Sequence, residues 1–71
     1  MSVIFKCILN KVCNGEVNEP FRAIDVINCL GTSKSFLWKH SKNNPKKEGN
    51  PYFIRISRGL FKINPDFKTC P

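Results

Sequence analysis

The chain has 71 residues, 41% of them hydrophobic and 24% charged, with six Phe among its aromatic residues. That hydrophobicity excludes a disordered chain, and the length excludes more than one small domain, whose core alone supplies only about 3–5 kcal/mol. Twelve Lys and Arg against five Asp and Glu leave a formal charge of +7, more than solubility requires, and point to a polyanionic partner.

Val3, Ile4, Cys7, Ile8 and Val12 recur at helical spacing and predict a first amphipathic helix. Ser2 opens it and Asn14-Gly15 stops it. Residues 16–21 are a connector, extended at Pro20-Phe21. Ala23, Ile24, Val26, Ile27 and Leu30 predict a second, shorter helix, with Asp25 in the first turn, where a carboxylate suits the helix dipole, and Gly31 beyond its end. Thr32-Ser33 offers another cap at once, so a third helix over 33–42 follows at an angle and ends at Asn43-Asn44-Pro45. Residues 43–51 read as a loop. The β-rich runs 52–57 and 60–64, joined by Arg58-Gly59, predict a hairpin. Pairing Ser57 with Leu60 sets Ile56 opposite Phe61 and Ile54 opposite Ile63 on one face, with Arg55 opposite Lys62 on the other. The tail, 64–71, packs through Phe67.

The charge is not spread evenly. Up to residue 33, Lys6, Lys11 and Arg22 cancel Glu16, Glu19 and Asp25, and in the tail Asp66 cancels Lys68. The excess lies between Lys34 and Lys62, where eight basic residues face Glu48 alone. A solvated face would scatter such charges along the chain; confinement to one segment favours a binding surface.

Three helices, the last two in a tight pair, followed by a hairpin form the α+β order of a winged helix-turn-helix, here one domain over 1–71. At this point the sequence resembles a group of small, uncharacterised bacterial winged-helix domains. The resemblance rests on Phe21-x-x-x-Asp25-Val26, the Ser35-Phe36 helix start and Phe53-x-Arg55-x-x-Arg58-Gly59-Leu60-Phe61-x-Ile63, and covers roughly residues 3–63. Two positions depart from the group: Arg22 stands where Thr or Ser would cap the second helix, and Phe61 replaces a Tyr. The resemblance implies nucleic-acid binding; taken with the basic segment, the expected partner is double-stranded DNA, with RNA a weaker third, and the expected role a regulatory one in a bacterium or phage.

In such a fold the third helix enters the major groove. With Leu37 at the centre of its buried face, Ser35, Lys39 and Lys42 lie opposite, with Lys34 and Trp38 on one margin. Cations and a hydroxyl on one face suit phosphates and guanine edges. Trp38 has two placements, a core residue covered by Lys34 or an exposed contact. His40 falls at the core boundary. The hairpin adds Arg58 at its tip and the Arg55/Lys62 pair, and Lys46 and Lys47 in the loop serve as backbone clamps. No Arg stands on the third helix, which points to weak sequence selectivity. The alternative is a winged helix used as a protein–protein module or subunit, or a homodimer formed through the first helix.

The four cysteines (Cys7, Cys13, Cys29 and Cys70) are too widely spaced for a zinc site. A disulfide framework is open to an even number of cysteines in a short chain. Without a secretion signal, however, Cys7 and Cys29, inside apolar stripes, read as buried thiols. No apolar run approaches the roughly 18–20 residues of a membrane span, and the expectation is a cytoplasmic chain with no membrane partner. Scattered carboxylates, an unoriented His40 and the lack of a Gly-rich phosphate loop predict no enzymatic activity, metal or cofactor.

Overall fold

In the computed structural model, which describes residues 2–70, the Ser2 side chain accepts a hydrogen bond from the Phe5 N–H (3.3 Å) and starts α1 (Val3–Cys13). The helix ends at Asn14. Gly15 then takes φ +77°, and the Glu16 N–H returns to the Lys11 carbonyl (2.9 Å), satisfying an otherwise open acceptor. The buried face of α1 is shifted from the one expected. Ile8 is buried and Ile4 and Val12 pack against the core as expected, but Phe5 and Leu9 form its centre and Val3 is 81% exposed. Both stripes have helical spacing, and the one carrying the aromatic ring has more apolar area to remove from water. Phe5 stacks on Tyr52 at a centroid distance of 4.3 Å and meets Phe53 and Phe67 edge-on.

The second helical segment begins as a 3-10 turn (Ala23–Val26) and continues as α2 (Ile27–Leu30). Arg22 cannot accept a hydrogen bond. Instead the Asp25 carboxylate accepts one from the Arg22 N–H (2.9 Å), so one half of a capping box replaces the missing Ser or Thr. Val26 and Leu30 point into the core and Ile24 is 63% exposed.

The third helix is far shorter than the 33–42 expected. It is α3 (Phe36–Lys39), one turn with Leu37 buried. Thr32 and Ser33 provide no side-chain cap, and the Ser33 carbonyl accepts the Phe36 N–H (3.0 Å). The helix stops because residues 40–43 are taken up by the sheet. The His40 carbonyl accepts the Phe53 N–H (3.1 Å), the Lys42 N–H donates to the Phe53 carbonyl (2.7 Å), and the fully buried Ser41 hydroxyl donates to the Leu37 carbonyl (2.7 Å).

The hairpin forms where expected, from β1 (Phe53–Ser57) and β2 (Leu60–Ile63), with Gly59 at φ +79° in the turn. Its register does not. Ser57 faces Leu60 as predicted, but a bulge at Ile56 slips the rest, so that Arg55 faces Phe61, Ile54 faces Lys62 and Phe53 faces Ile63. The expected Arg55/Lys62 pair is absent. The slip turns Phe53 inward in place of Ile54, and Phe53 then packs against Phe5, Phe21, Phe36 and Tyr52. Ile56 is left 51% exposed. Phe21 adds a one-residue strand to β2 through two backbone bonds with Phe61. One edge of the hairpin is thus covered by Phe21 and the other by residues 40–43, which limits the exposed strand edge. Asn64 caps a closing 3-10 turn (Pro65–Phe67), and Phe67 is half-buried as expected.

The cysteines are not buried thiols. Cys7 bonds Cys29, joining α1 to α2, and Cys13 bonds Cys70, joining the end of α1 to the tail. These bridges supply the staples that a core of this size needs. The pairing is long-range, with partners 22 and 57 residues apart, so linear spacing gave no sign of it. Among the described residues no helix is long and apolar enough to cross a membrane. Met1 and Pro71, the ends of the expected domain, lie outside the described residues.

Candidate nucleic-acid interface

The C-terminal side of the segment that carries α3 is held by two asparagines. Asn44, buried, donates from its side-chain amide to the Trp38 carbonyl (2.8 Å) and accepts from the Lys46 N–H (2.9 Å), fixing the end of α3 to the start of the loop. Asn43 fixes the same region to the hairpin. Its amide donates to the Arg55 carbonyl (2.9 Å) and its oxygen accepts the Arg55 N–H (3.1 Å), so one side chain pairs with β1 as a strand would. Reading Asn43-Asn44-Pro45 only as a helix stop missed both roles. The affinity of Asn for backbone groups was the available signal.

These anchors bring Trp38 of α3 against Arg55 of β1. Directly opposite residues share a face, so Arg55, facing Phe61, continues the row that Phe53 and Ile63 occupy in the core. There the core ends, and the guanidinium lies 4.8 Å from the centroid of the Trp38 ring. Trp38 is 36% exposed, which decides between its two placements: it is a surface residue covered by a cation, not a core residue.

The other expected side chains fall around this pair or away from it. Lys34 and Ser35 are exposed in the turn before α3, and Lys39 and Lys42 are exposed beside Trp38 and Asn43 in the chain. Lys39 is not free, since Glu48 lies 3.7 Å from its ammonium and the Glu48 N–H donates to the Lys39 carbonyl (2.7 Å). Lys46 and Lys47 are exposed in the loop and Arg58 at the hairpin tip. Lys62 faces Ile54 on the side of the hairpin away from the core and is half-buried, so it does not join the Trp38–Arg55 pair. His40 sits at the boundary as expected, packed on Phe36 (4.4 Å between centroids), with Nδ1 3.0 Å from the Asn50 carbonyl.

No family model, curated protein or solved structure matches this chain.

Away from the basic segment, a shallow cleft is lined by Glu16, Val17, Asn18, Pro20 and Asp25, and its acidic side chains suit no anion. Among the described residues His, Cys, Asp and Glu form no group of three that could hold a metal ion. The segment around α3 offers instead exposed cations for phosphates, and an arginine that rests over the Trp38 ring.

Proposed function

We propose that the chain is a winged-helix domain that binds double-stranded DNA with weak sequence selectivity, presenting the α3 segment to the major groove and the hairpin to the phosphate backbone. The observation that carries the reading is a set of exposed, unpaired cations in the same stretch of chain as the Trp38–Arg55 contact. Lys34, Lys42, Lys46, Lys47 and Arg58 are exposed and have no carboxylate within ion-pairing distance among the described residues. The two-bond link between Phe21 and Phe61 supports the winged-helix assignment, since it supplies the strand between the first and second helical segments. The likeness to small bacterial winged-helix domains belongs with the same proposal.

The reading places the protein in the cytoplasm, where thiol pools of most organisms reduce accessible disulfides. The interface has to outlast that reduction. Neither bridge includes a residue between Lys34 and Lys62, and both join α1 to other segments.

The test is salt-titrated binding to a mixed-sequence duplex, followed by the emission of Trp38, the only tryptophan. Five phosphate-neutralising cations give a log–log slope of about −4 to −5. Absence of binding at low salt overturns the reading. A protein–protein module is the second reading, and the exposed Val3 and Ile24, outside the basic segment, favour it. A concentration-dependent dimer in sedimentation, lost in Val3→Asp, together with no DNA binding would establish it.

A further inference from the structure

We propose that Arg55, the hairpin residue that lies against Trp38 of α3, enters the major groove with α3 and reads the edge of a guanine, supplying the contact that α3, which carries no arginine, cannot make, while the hairpin tip stays on the phosphate backbone; the inference rests on the DNA-binding reading above. Arg55 is held at three points. Asn43 engages both its N–H and its carbonyl, Phe61 sets its face of the hairpin, and Trp38 lies under its guanidinium. The bulge at Ile56 follows immediately and bends the strand at this position.

A guanidinium that lies over an aromatic ring keeps the N–H donors directed away from the ring available. Those donors have no carboxylate partner among the described residues, unlike Arg22, which pairs with Asp25. The planar guanidinium fork suits two coplanar acceptors, and guanine O6 and N7 are such a pair. Phosphates do not require a planar fork, and the exposed lysines of the same chain segment are enough for them. A cation with no contact would lose more side-chain freedom on reaching a base than Arg55, which already rests on Trp38. A single base read in this way agrees with weak selectivity.

The experiment enriches a randomised duplex with the full chain at moderate salt. Binding to the enriched site is then compared with binding to the same site carrying 7-deazaguanine, which lacks the N7 acceptor, for the native protein, Arg55→Met and Trp38→Leu. The expected result is a guanine in the enriched site whose 7-deaza replacement weakens native binding roughly tenfold. In Arg55→Met, which keeps most of the length of the side chain but has no donor, that penalty disappears. In Trp38→Leu the penalty shrinks, with circular dichroism unchanged. Binding with no guanine preference, or a 7-deaza penalty that persists in Arg55→Met, overturns the role of Arg55 and leaves the DNA-binding reading standing, with Arg55 a phosphate contact only. Failure of the native protein to bind any duplex at low salt overturns both.

Discussion

Phe21 and Phe61 exchange both of their backbone hydrogen bonds, at 2.8 and 2.9 Å, with the two residues buried at 0% and 7% exposure. Forty residues apart in sequence, they fasten the connector after α1 to the outer edge of the hairpin. The ring of Phe21 also meets Phe53 edge-on, so a single residue joins the helical half, β2 and β1.

Phe21→Ala should therefore cost about 3–5 kcal/mol, the usual penalty for emptying a core of a phenyl ring. In a domain of this size that is comparable with the whole of its stability. Urea denaturation followed by circular dichroism should show the variant largely unfolded at 25 °C with its disulfides intact. A midpoint close to the native one would show that the Phe21 bridge is dispensable.

Reduction should destabilise the fold and leave the interface chemistry alone. On the chain-entropy view, loops of 22 and 57 residues restrict the unfolded chain by about 3 and about 4 kcal/mol. Dithiothreitol should lower the Tm markedly, and the Cys13–Cys70 bridge, whose Cys70 is exposed, should open first. Below the reduced Tm, DNA binding should keep its salt slope. Mass mapping of alkylated thiols during reduction, paired with a salt titration in reductant, checks both parts.

Asn44→Ala should remove two hydrogen bonds and leave the Trp38 carbonyl and the Lys46 N–H without their partner, at a cost of about 1–2 kcal/mol. The loss should appear in the urea midpoint, and the loop after Asn44 should become more sensitive to trypsin, which cuts at Lys46 and Lys47. An unchanged cleavage rate would mean that Asn44 does not set the loop.

Glu48→Gln should tighten DNA binding. Glu48 is the only acid in the basic segment, and it lies 3.7 Å from the Lys39 ammonium, with both side chains more than half exposed. Removing its charge frees Lys39 for a phosphate and steepens the salt slope by up to about 0.9. Screening weakens the advantage as salt rises. A two- to threefold gain at low salt that fades in high salt is the expected anisotropy result. Equal affinities throughout would place Lys39 away from the DNA.

Features set by neighbours in sequence were legible in advance. Ser2 and Asn14-Gly15 bound α1, Arg58-Gly59 turns the hairpin, and Leu37 centres the buried side of α3. Features set by competition for the core were not. Val3–Ile4–Cys7–Ile8 and Phe5–Ile8–Leu9 both have helical spacing, and only the position of Tyr52 decides for Phe5. The same holds in β1, where Phe53 displaces Ile54 from the core side and Ile56 bulges out as a result. For the candidate interface, the basic segment could be read from charge alone. The contact between Trp38 and Arg55 could not, because it exists only in the slipped register.

The Cys13–Cys70 bridge closes residues 13–70 into a covalent ring. The loop that carries Lys46 and Lys47, exposed from residue 45 to residue 50, lies inside that ring. A single nick there would produce two pieces that still travel together on a non-reducing gel and separate only when thiol is added. While the bridge stays oxidised, the basic segment would remain tethered to its scaffold after being cut, so the bridge then protects the assembly against breaks in the chain as well as against unfolding.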